Sequence, residues 1–229
     1  MISVILPVYN EENTVKEIIK QVYDLPLEKE IIIVNDCSTD NTPRILGELH
    51  LHNVTIVNHL SNRGKGAAIR TALQYVKGEI CVIQDADLEL DPLDILKLIE
   101  PIVNNDTQVV FGVRNNYKKI SFKHFFLSLL IDFALIMFQI ELFIFYGFVI
   151  KDMMSCYKVL STELFKSLDL HSDGFEIEAE ITSQLLMRKM KPFEININYY
   201  PRLYKEGKKI VWKDAVKIFF SLIKFKFSK

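Results

Sequence analysis

The sequence predicts an α/β layer fold with a largely parallel sheet. Three observations lead there. Short runs rich in Ile and Val alternate with helical patterns through the first half of the chain. Those runs are mostly unbroken in their apolar character, as expected of strands covered on both faces. No internal repeat and no low-complexity linker divides the chain. Its 229 residues, 49% apolar and 25% charged, are enough to bury a core without staples. That composition excludes disorder, collagen and a disulfide scaffold.

Strands are expected at residues 2–6, 30–34, 54–58, 79–84 and 108–113. Between the first two, Val15, Ile18, Ile19 and Val22 fall at the spacing of one helix face. Ile69, Ala72, Leu73 and Val76 repeat that spacing after the third strand. After the fourth, Pro92 sits where a helix starts, and 93–103 follows as its body. Residues 2–6 are too short for a signal peptide, and Pro7 ends the run. Cys37, Cys81 and Cys156 lack CxxC spacing, which argues against a zinc ribbon and for a reducing compartment. The five histidines show no metal-ligand spacing, and nothing points to a nucleic-acid partner.

Residues 125–150 are the most hydrophobic stretch, long enough to cross a bilayer if helical throughout. Asp132, Gln139 and Glu141 interrupt it, and no uncharged run reaches 18 residues. Each buried acid would cost roughly 2.5–3.5 kcal/mol on insertion scales. The expectation is therefore one or two helices at a membrane interface or against a partner subunit, with an internal core helix as the alternative. At the C-terminus, Trp212, Ala215, Val216, Phe219 and Ile223 form an apolar stripe. Lys213, Lys217 and Lys224 lie on another face. The net charge of −1 conceals +9 from Arg188 onward against −10 before it. A basic amphipathic end suits a membrane surface or a phosphate-bearing partner; a helix docked by its stripe with solvated lysines is the alternative.

Four motifs carry chemistry, each beyond a predicted strand, where parallel α/β sheets bind ligands. In Gln84-Asp85-Ala86-Asp87-Leu88-Glu89 three acids alternate. Such a cluster repels itself unless a cation joins it, and hard oxygens suit Mg²⁺ or Mn²⁺. Pro7-Val8-Tyr9-Asn10-Glu11 suits a nucleotide platform, with Tyr9 against a base and Glu11 accepting from base or ribose. The acids there also suit a helix N-terminus. Asp36, in Asn35-Asp36-Cys37-Ser38, suits a base N–H, while Ser38, Thr39 and Asp40 suit helix caps. Gly64-Lys65-Gly66 at a helix start suits an anion, without the spacing of a P-loop.

Together, LPVYNEENT, IIIVNDCSTDNT, NRGKGAAIRTAL and QDADLELDP resemble the family 2 glycosyltransferases of the GT-A fold. Within that family the resemblance is to the dolichyl- and polyprenyl-phosphate mannose and glucose synthases. FGVR at 111–114, GFEIEAEI at 174–181 and YYPRLYKEGKK at 199–209 fit as well. The resemblance implies that Pro7, Tyr9, Glu11, Asp36, Lys65 and Asp85 line a nucleotide-sugar pocket. It implies that Asp85, Asp87 and Glu89 bind the divalent metal, Glu89 standing where Gln is common. Asp87, Arg114 and Arg202 would carry the reaction. Arg114 would face an acceptor phosphate, and Arg202 with Lys208 or Lys209 would approach phosphates. Asn35, where the group usually has Asp, is expected to matter little.

The organisation implied is a nucleotide-sugar half at 1–118, apolar interfacial helices at 119–151, an acceptor-side half at 152–209 and a basic helix at 210–229. The implied activity is inverting transfer of a hexose from a UDP- or GDP-sugar to a polyprenyl phosphate, at the cytoplasmic face of a membrane. A homo-oligomer is compatible with it. If the acceptor is instead a sugar hydroxyl, a carboxylate base is needed, and Asp152, Glu176 and Glu178 are the candidates. A nucleotide-binding module without turnover is the third reading.

Overall fold

A computed structural model of the chain describes residues 1–114, 125–202 and 212–227. In order, the first half contains β1 (Ile2–Val8), α1 (Val15–Tyr23), β2 (Lys29–Asn35), α2 (Thr42–Gly47) and β3 (Val54–Asn58). It continues with α3 (Lys65–Leu73), β4 (Ile80–Ile83), α4 (Asp94–Val103) and β5 (Val109–Arg114). The second half contains α5 (Phe125–Tyr146), β6 (Lys158–Ser161), α6 (Thr162–Lys166), α7 (Ile177–Met187), β7 (Phe193–Ile197) and α8 (Trp212–Phe227). All five expected strands and the expected helices are present.

The strands form one sheet in the order β3-β2-β1-β4-β6-β5-β7. β1 pairs in parallel with β2 and β4, β2 with β3, and β5 with β7. β6 is antiparallel to both of its neighbours, β4 and β5. Two reversals cancel, so β5 and β7 run with β1 through β4. The carboxyl ends of six strands thus share one edge, and the amino end of β6 joins them. β6 and β7 were not expected from the sequence. β6 is four residues long and opens on a lysine, and β7 is an edge strand carrying Glu194 and Asn196, so neither shows an unbroken apolar run.

Side-chain spacing explains the helix contacts. Val15, Ile18, Ile19 and Val22 are the buried face of α1. α3 buries Gly66, Ala67, Ala68, Ile69 and Ala72, small residues that let it lie close on β1 and β2. α4 buries Ile95, Leu98, Ile99 and Ile102.

The apolar segment is one helix of 22 residues. It stops at Gly147, whose φ of +77° closes the end while its N–H donates to the Phe143 carbonyl. No helix is long and apolar enough to cross a membrane among the described residues. One face of α5 packs inward through Phe138, Leu142 and Tyr146, and the Tyr146 hydroxyl donates to the Leu222 carbonyl of α8 at 2.9 Å. Ile136, Ile140, Phe143 and Ile144 are exposed on it. The helix is therefore core on one side and bare on the other. α8 buries Ile218 and Leu222, and Val216 is exposed. The expected stripe holds in part: Ala215 and Phe219 pack against the core, while packing against α5 and α7 adds Ile218 and Leu222 and leaves Val216 outside. The side chains of Asp132, Trp212 and Lys213 lie outside the described residues.

Glu141, on the inner side of α5, is 3% exposed, and among the described residues neither carboxylate oxygen has a hydrogen-bond partner. Burial pushes its carboxyl up from 4.5 to about 7. The folded chain thus keeps a proton that the unfolded chain releases, so stability falls as pH rises from about 4.5 to 7 and is level above. Glu141→Gln should raise Tm by a few degrees at pH ~8, and the gain should fade toward pH ~4. Thermal unfolding of both chains at the two pH values checks this.

Candidate active site

The shared sheet edge opens into a cleft of about 480 Å³, in the ordinary range for a small-molecule site. Pro7 and Val8 reach it from the end of β1, Tyr9 and Glu11 from just beyond, and Asp36 from beyond β2. Asp85, Asp87 and Glu89 follow β4, Arg114 ends β5, and Tyr199 and Arg202 follow β7. Lys65 enters from the first residue of α3. Of the non-glycine residues with positive φ among the described residues, Asn10, Cys37 and Leu88 lie at this edge, with φ of 47°, 59° and 61°, and Asn53, Asn105 and Lys189 lie elsewhere. Such left-handed turns at non-glycine residues cost of order 1 kcal/mol and concentrate at functional sites.

Asp36 is nearly buried and already hydrogen-bonded. Its Oδ1 accepts from the Arg63 N–H at 2.9 Å and from His59 Nδ1 at 2.7 Å, and its Oδ2 from the Gly64 N–H at 2.7 Å. Accepting that bond, the carboxylate places a proton on Nδ1, and His59 Nε2 is hydrogen-bonded to Thr71 Oγ1 at 2.9 Å. Sequence reasoning missed His59, because its role depends on β3 ending beside α3. Asn35, expected to matter little to the nucleotide, does not line the cleft; it is buried, donates to Asn58 Oδ1 at 2.8 Å and accepts from the Ser38 N–H at 3.1 Å. The expected anion site at the α3 start is partly filled from within. Arg63 and Gly64 donate to Asp36, and Ala67 donates its N–H to the Asp173 carbonyl.

The acids after β4 are balanced by two protein cations. Lys65 Nζ lies 2.9 Å from Asp85 Oδ1 and 2.9 Å from Glu178 Oε1. Arg202 grips both oxygens of Glu11, at 3.0 and 3.1 Å, and lies 3.1 Å from Asp87 Oδ2. Its backbone N–H donates to Glu89 Oε1 at 2.9 Å. Among the described residues no three His, Cys, Asp or Glu side chains converge to hold a metal as they stand. Lys65 and Arg202 reach the carboxylates instead. Among the described residues, four acids, Glu11, Asp85, Asp87 and Glu89, face these two cations. Burial, with Asp85 and Glu89 close by, pushes Asp87 up to about 7 against the pull of Arg202. The donor set is hard oxygen crowded at one edge, and it fits Mg²⁺ or Mn²⁺ in chemistry.

Arg114 is fixed from behind. Its Nε and a terminal nitrogen donate to the two oxygens of Asp152, each at 2.7 Å, and its guanidinium lies 5.2 Å from the centre of the Tyr199 ring. Asp152 does not line the cleft. Glu176 lies apart from it too, accepting from Lys217 of α8 at 2.8 Å. Burial opposes this pairing, but Lys217 holds the Glu176 carboxyl below the usual range.

The family model described as glycosyl transferase family 2 matches residues 3–169. The chain belongs to that family. UDP-N-acetylglucosamine–dolichyl-phosphate N-acetylglucosaminyltransferase of Methanococcus voltae is 29% identical, the match covering 100% of this chain and 97% of that protein. Dolichol-phosphate mannosyltransferase of Pyrococcus furiosus is 30% identical over 79% of this chain, which spans 51% of it. Glucosyl-3-phosphoglycerate synthase of Mycobacterium tuberculosis, solved with Mn²⁺, UDP-glucose and phosphoglyceric acid, superposes with a TM-score of 0.71. That match is 21% identical, covering 99% of this chain and 79% of that one. The likeness establishes the GT-A fold.

In this glycosyltransferase the cleft brings together Pro7, Tyr9, Glu11, Asp36, Lys65, Asp85, Asp87, Glu89, Arg114 and Arg202. Glu178 and Tyr199 join them. Asp152 and Glu176 stand outside, and Lys208 and Lys209 lie outside the described residues. Gly64 and Gly66 are needed because the backbone at 172–174 lies against them. A Cβ at Gly66 would meet the Ser172 carbonyl oxygen at 2.2 Å, and one at Gly64 the Asp173 oxygen at 2.4 Å, with φ +96°. Gly66→Ala should therefore lower Tm by several degrees, whereas Gly47→Ala, with open space around it, should be neutral or raise it slightly. Calorimetry on the two variants checks the contrast.

Proposed function

We propose that this chain is an inverting, metal-dependent hexosyltransferase that moves a sugar from a UDP- or GDP-sugar to a polyprenyl phosphate at a membrane surface. The observation that carries the reading is the state of the acceptor-side carboxylates. Asp152 is paired with Arg114, Glu176 with Lys217, and Glu178 with Lys158 and Lys65. A sugar hydroxyl needs a base to take its proton. A phosphate acceptor is already anionic and needs a cation to hold it, which Arg114 offers at the cleft wall. The named activities of the Methanococcus and Pyrococcus relatives support the same acceptor class.

Tyr9 and Glu11 would bind the nucleoside, and Asp36 would shape its pocket through the 62–64 turn. Asp85 and Asp87, with Glu89, would hold Mg²⁺ or Mn²⁺, which when bound supplies positive charge to the departing diphosphate. Arg202 would give up part of its carboxylate contacts to a phosphate. The acceptor phosphate oxygen forms a bond to the anomeric carbon from the face opposite the donor oxygen. The old bond breaks with its electron pair on the nucleoside diphosphate, so the configuration inverts and no proton need be removed. Arg114 orients the attacking phosphate and, with Lys65 and Arg202, offsets the charge at the site.

Membrane association rests on the bare sides of α5 and α8. Ile136, Ile140, Phe143 and Ile144 on one, and Val216, Phe220 and Phe227 on the other, are exposed, with Lys224 exposed beside them. Apolar residues with flanking lysines suit an anionic lipid surface at the cytoplasmic face.

Incubation with UDP- and GDP-sugars, Mn²⁺ and a short polyprenyl phosphate should give a glycosyl phospholipid. Transfer only to a saccharide hydroxyl, or none with any donor, overturns the reading. Arg114→Lys keeps the charge but loses the two-pronged grip of Asp152. It should raise the acceptor KM and lower turnover by about a hundredfold, without weakening nucleotide binding. Steady-state kinetics with varied acceptor, beside a nucleotide titration, checks this.

A further inference from the structure

A lysine at the start of a central strand is costly, and Lys158 is 0% exposed. Its ammonium donates to the Met153 and Ser155 carbonyls, each at 2.8 Å, and to Glu178 Oε2, and it lies 4.8 Å from the centre of the Phe111 ring. Glu178, 1% exposed in the first turn of α7, offers its other oxygen to Lys65. Lys65 in turn reaches Asp85. Charges therefore alternate from the sheet interior to the mouth of the cleft: Lys158, Glu178, Lys65, Asp85. Burial would lower Lys65, but Asp85 and, less strongly, Glu178 hold its ammonium charged. A buried ion pair of this kind adds little net stability over apolar residues of the same shape, because desolvation offsets the attraction. What it does supply is position.

We propose that Lys158 and Glu178 are positioning residues for the donor corner. They hold Lys65 between two carboxylates, 2.9 Å from each, so that its charge is divided between Glu178 and Asp85 and does not fall on Asp85 alone. Asp85 thereby keeps the negative charge that a divalent ion requires. The inference rests on the reading that Asp85 binds metal with the nucleotide. Without Glu178, Lys65 has Asp85 as its nearest anion and competes with the ion. The two positioning residues are brought in by different elements, α7 and the reversed strand β6, whose amino end alone reaches this edge.

The experiment compares Mn²⁺ affinity, read by electron paramagnetic resonance and by calorimetric titration of UDP and GDP with and without Mn²⁺. Wild-type chain is measured first. If it shows no Mn²⁺-dependent nucleotide binding, the metal reading of the site fails. The double variant Lys158→Met/Glu178→Gln keeps net charge unchanged, so a long-range charge effect should not alter its metal affinity. It should bind Mn²⁺ about 10–100-fold more weakly, with Tm within a few degrees of wild type. If that variant does not fold, Glu178→Gln alone, which leaves Lys158 its two carbonyl partners, should show the same loss. In a Lys65→Met background, adding Glu178→Gln should cause no further loss, because the effect passes through Lys65. Mn²⁺ affinity within about twofold of wild type in a folded variant overturns the inference. So does lost turnover with metal and nucleotide binding intact, which would make Glu178 a direct participant in the reaction.

Discussion

The crowding of carboxylates at one sheet edge governs the rest of this structure. Glu11, Asp85, Asp87 and Glu89 come from two different strand ends, and only Lys65 and Arg202 among the described groups are seen to answer them. Like charges in a partly buried cleft repel more strongly than in water. The fold tolerates them because each cation is shared between acids. Arg202 does this across 191 residues of sequence, tying the loop after β7 to the loop after β1.

That sharing explains the cost accepted elsewhere. Inserting β6 in reverse brings the amino end of a strand to the ligand edge, and with it Lys158. Arg114 is handled in the same way, with Asp152 behind it and Tyr199 against its face. Each of these cations at the cleft wall is thus held by at least one carboxylate. A guanidinium or ammonium already immobilised loses little entropy when a phosphate binds.

The second layer of the molecule is built differently. α5 is apolar on nearly every side, yet it buries only one face, against α7 and α8. A helix apolar all round is normally enclosed. Here the outer face is bare in the single chain, and α8 runs beside it with lysines. The Lys217–Glu176 pair connects that layer to the loop leading into α7, two residues before Glu178. The apolar layer and the charged cleft therefore meet at α7, which packs on α5 and α8 and carries Glu178.

Strand ends, helix faces and the acidic motif were legible in the sequence because each is local. Ile and Val runs report two-sided burial. The spacing of Val15, Ile18, Ile19 and Val22 reports a face, and a DxD after a strand needs no partner to be seen. The sequence by itself determined the α/β class, the edge that carries ligands and most of the residues that line the cleft. Only the tertiary structure decided what each charge is paired with. Asp152 and Glu176 read equally well as free bases until Arg114 and Lys217 are found beside them, 38 and 41 residues away. His59 and Asn35 became structural, and Lys158 became explicable, for the same reason. Pairing energy falls off within a few ångströms, and distance along the chain carries no information about it once the sheet has reordered its strands.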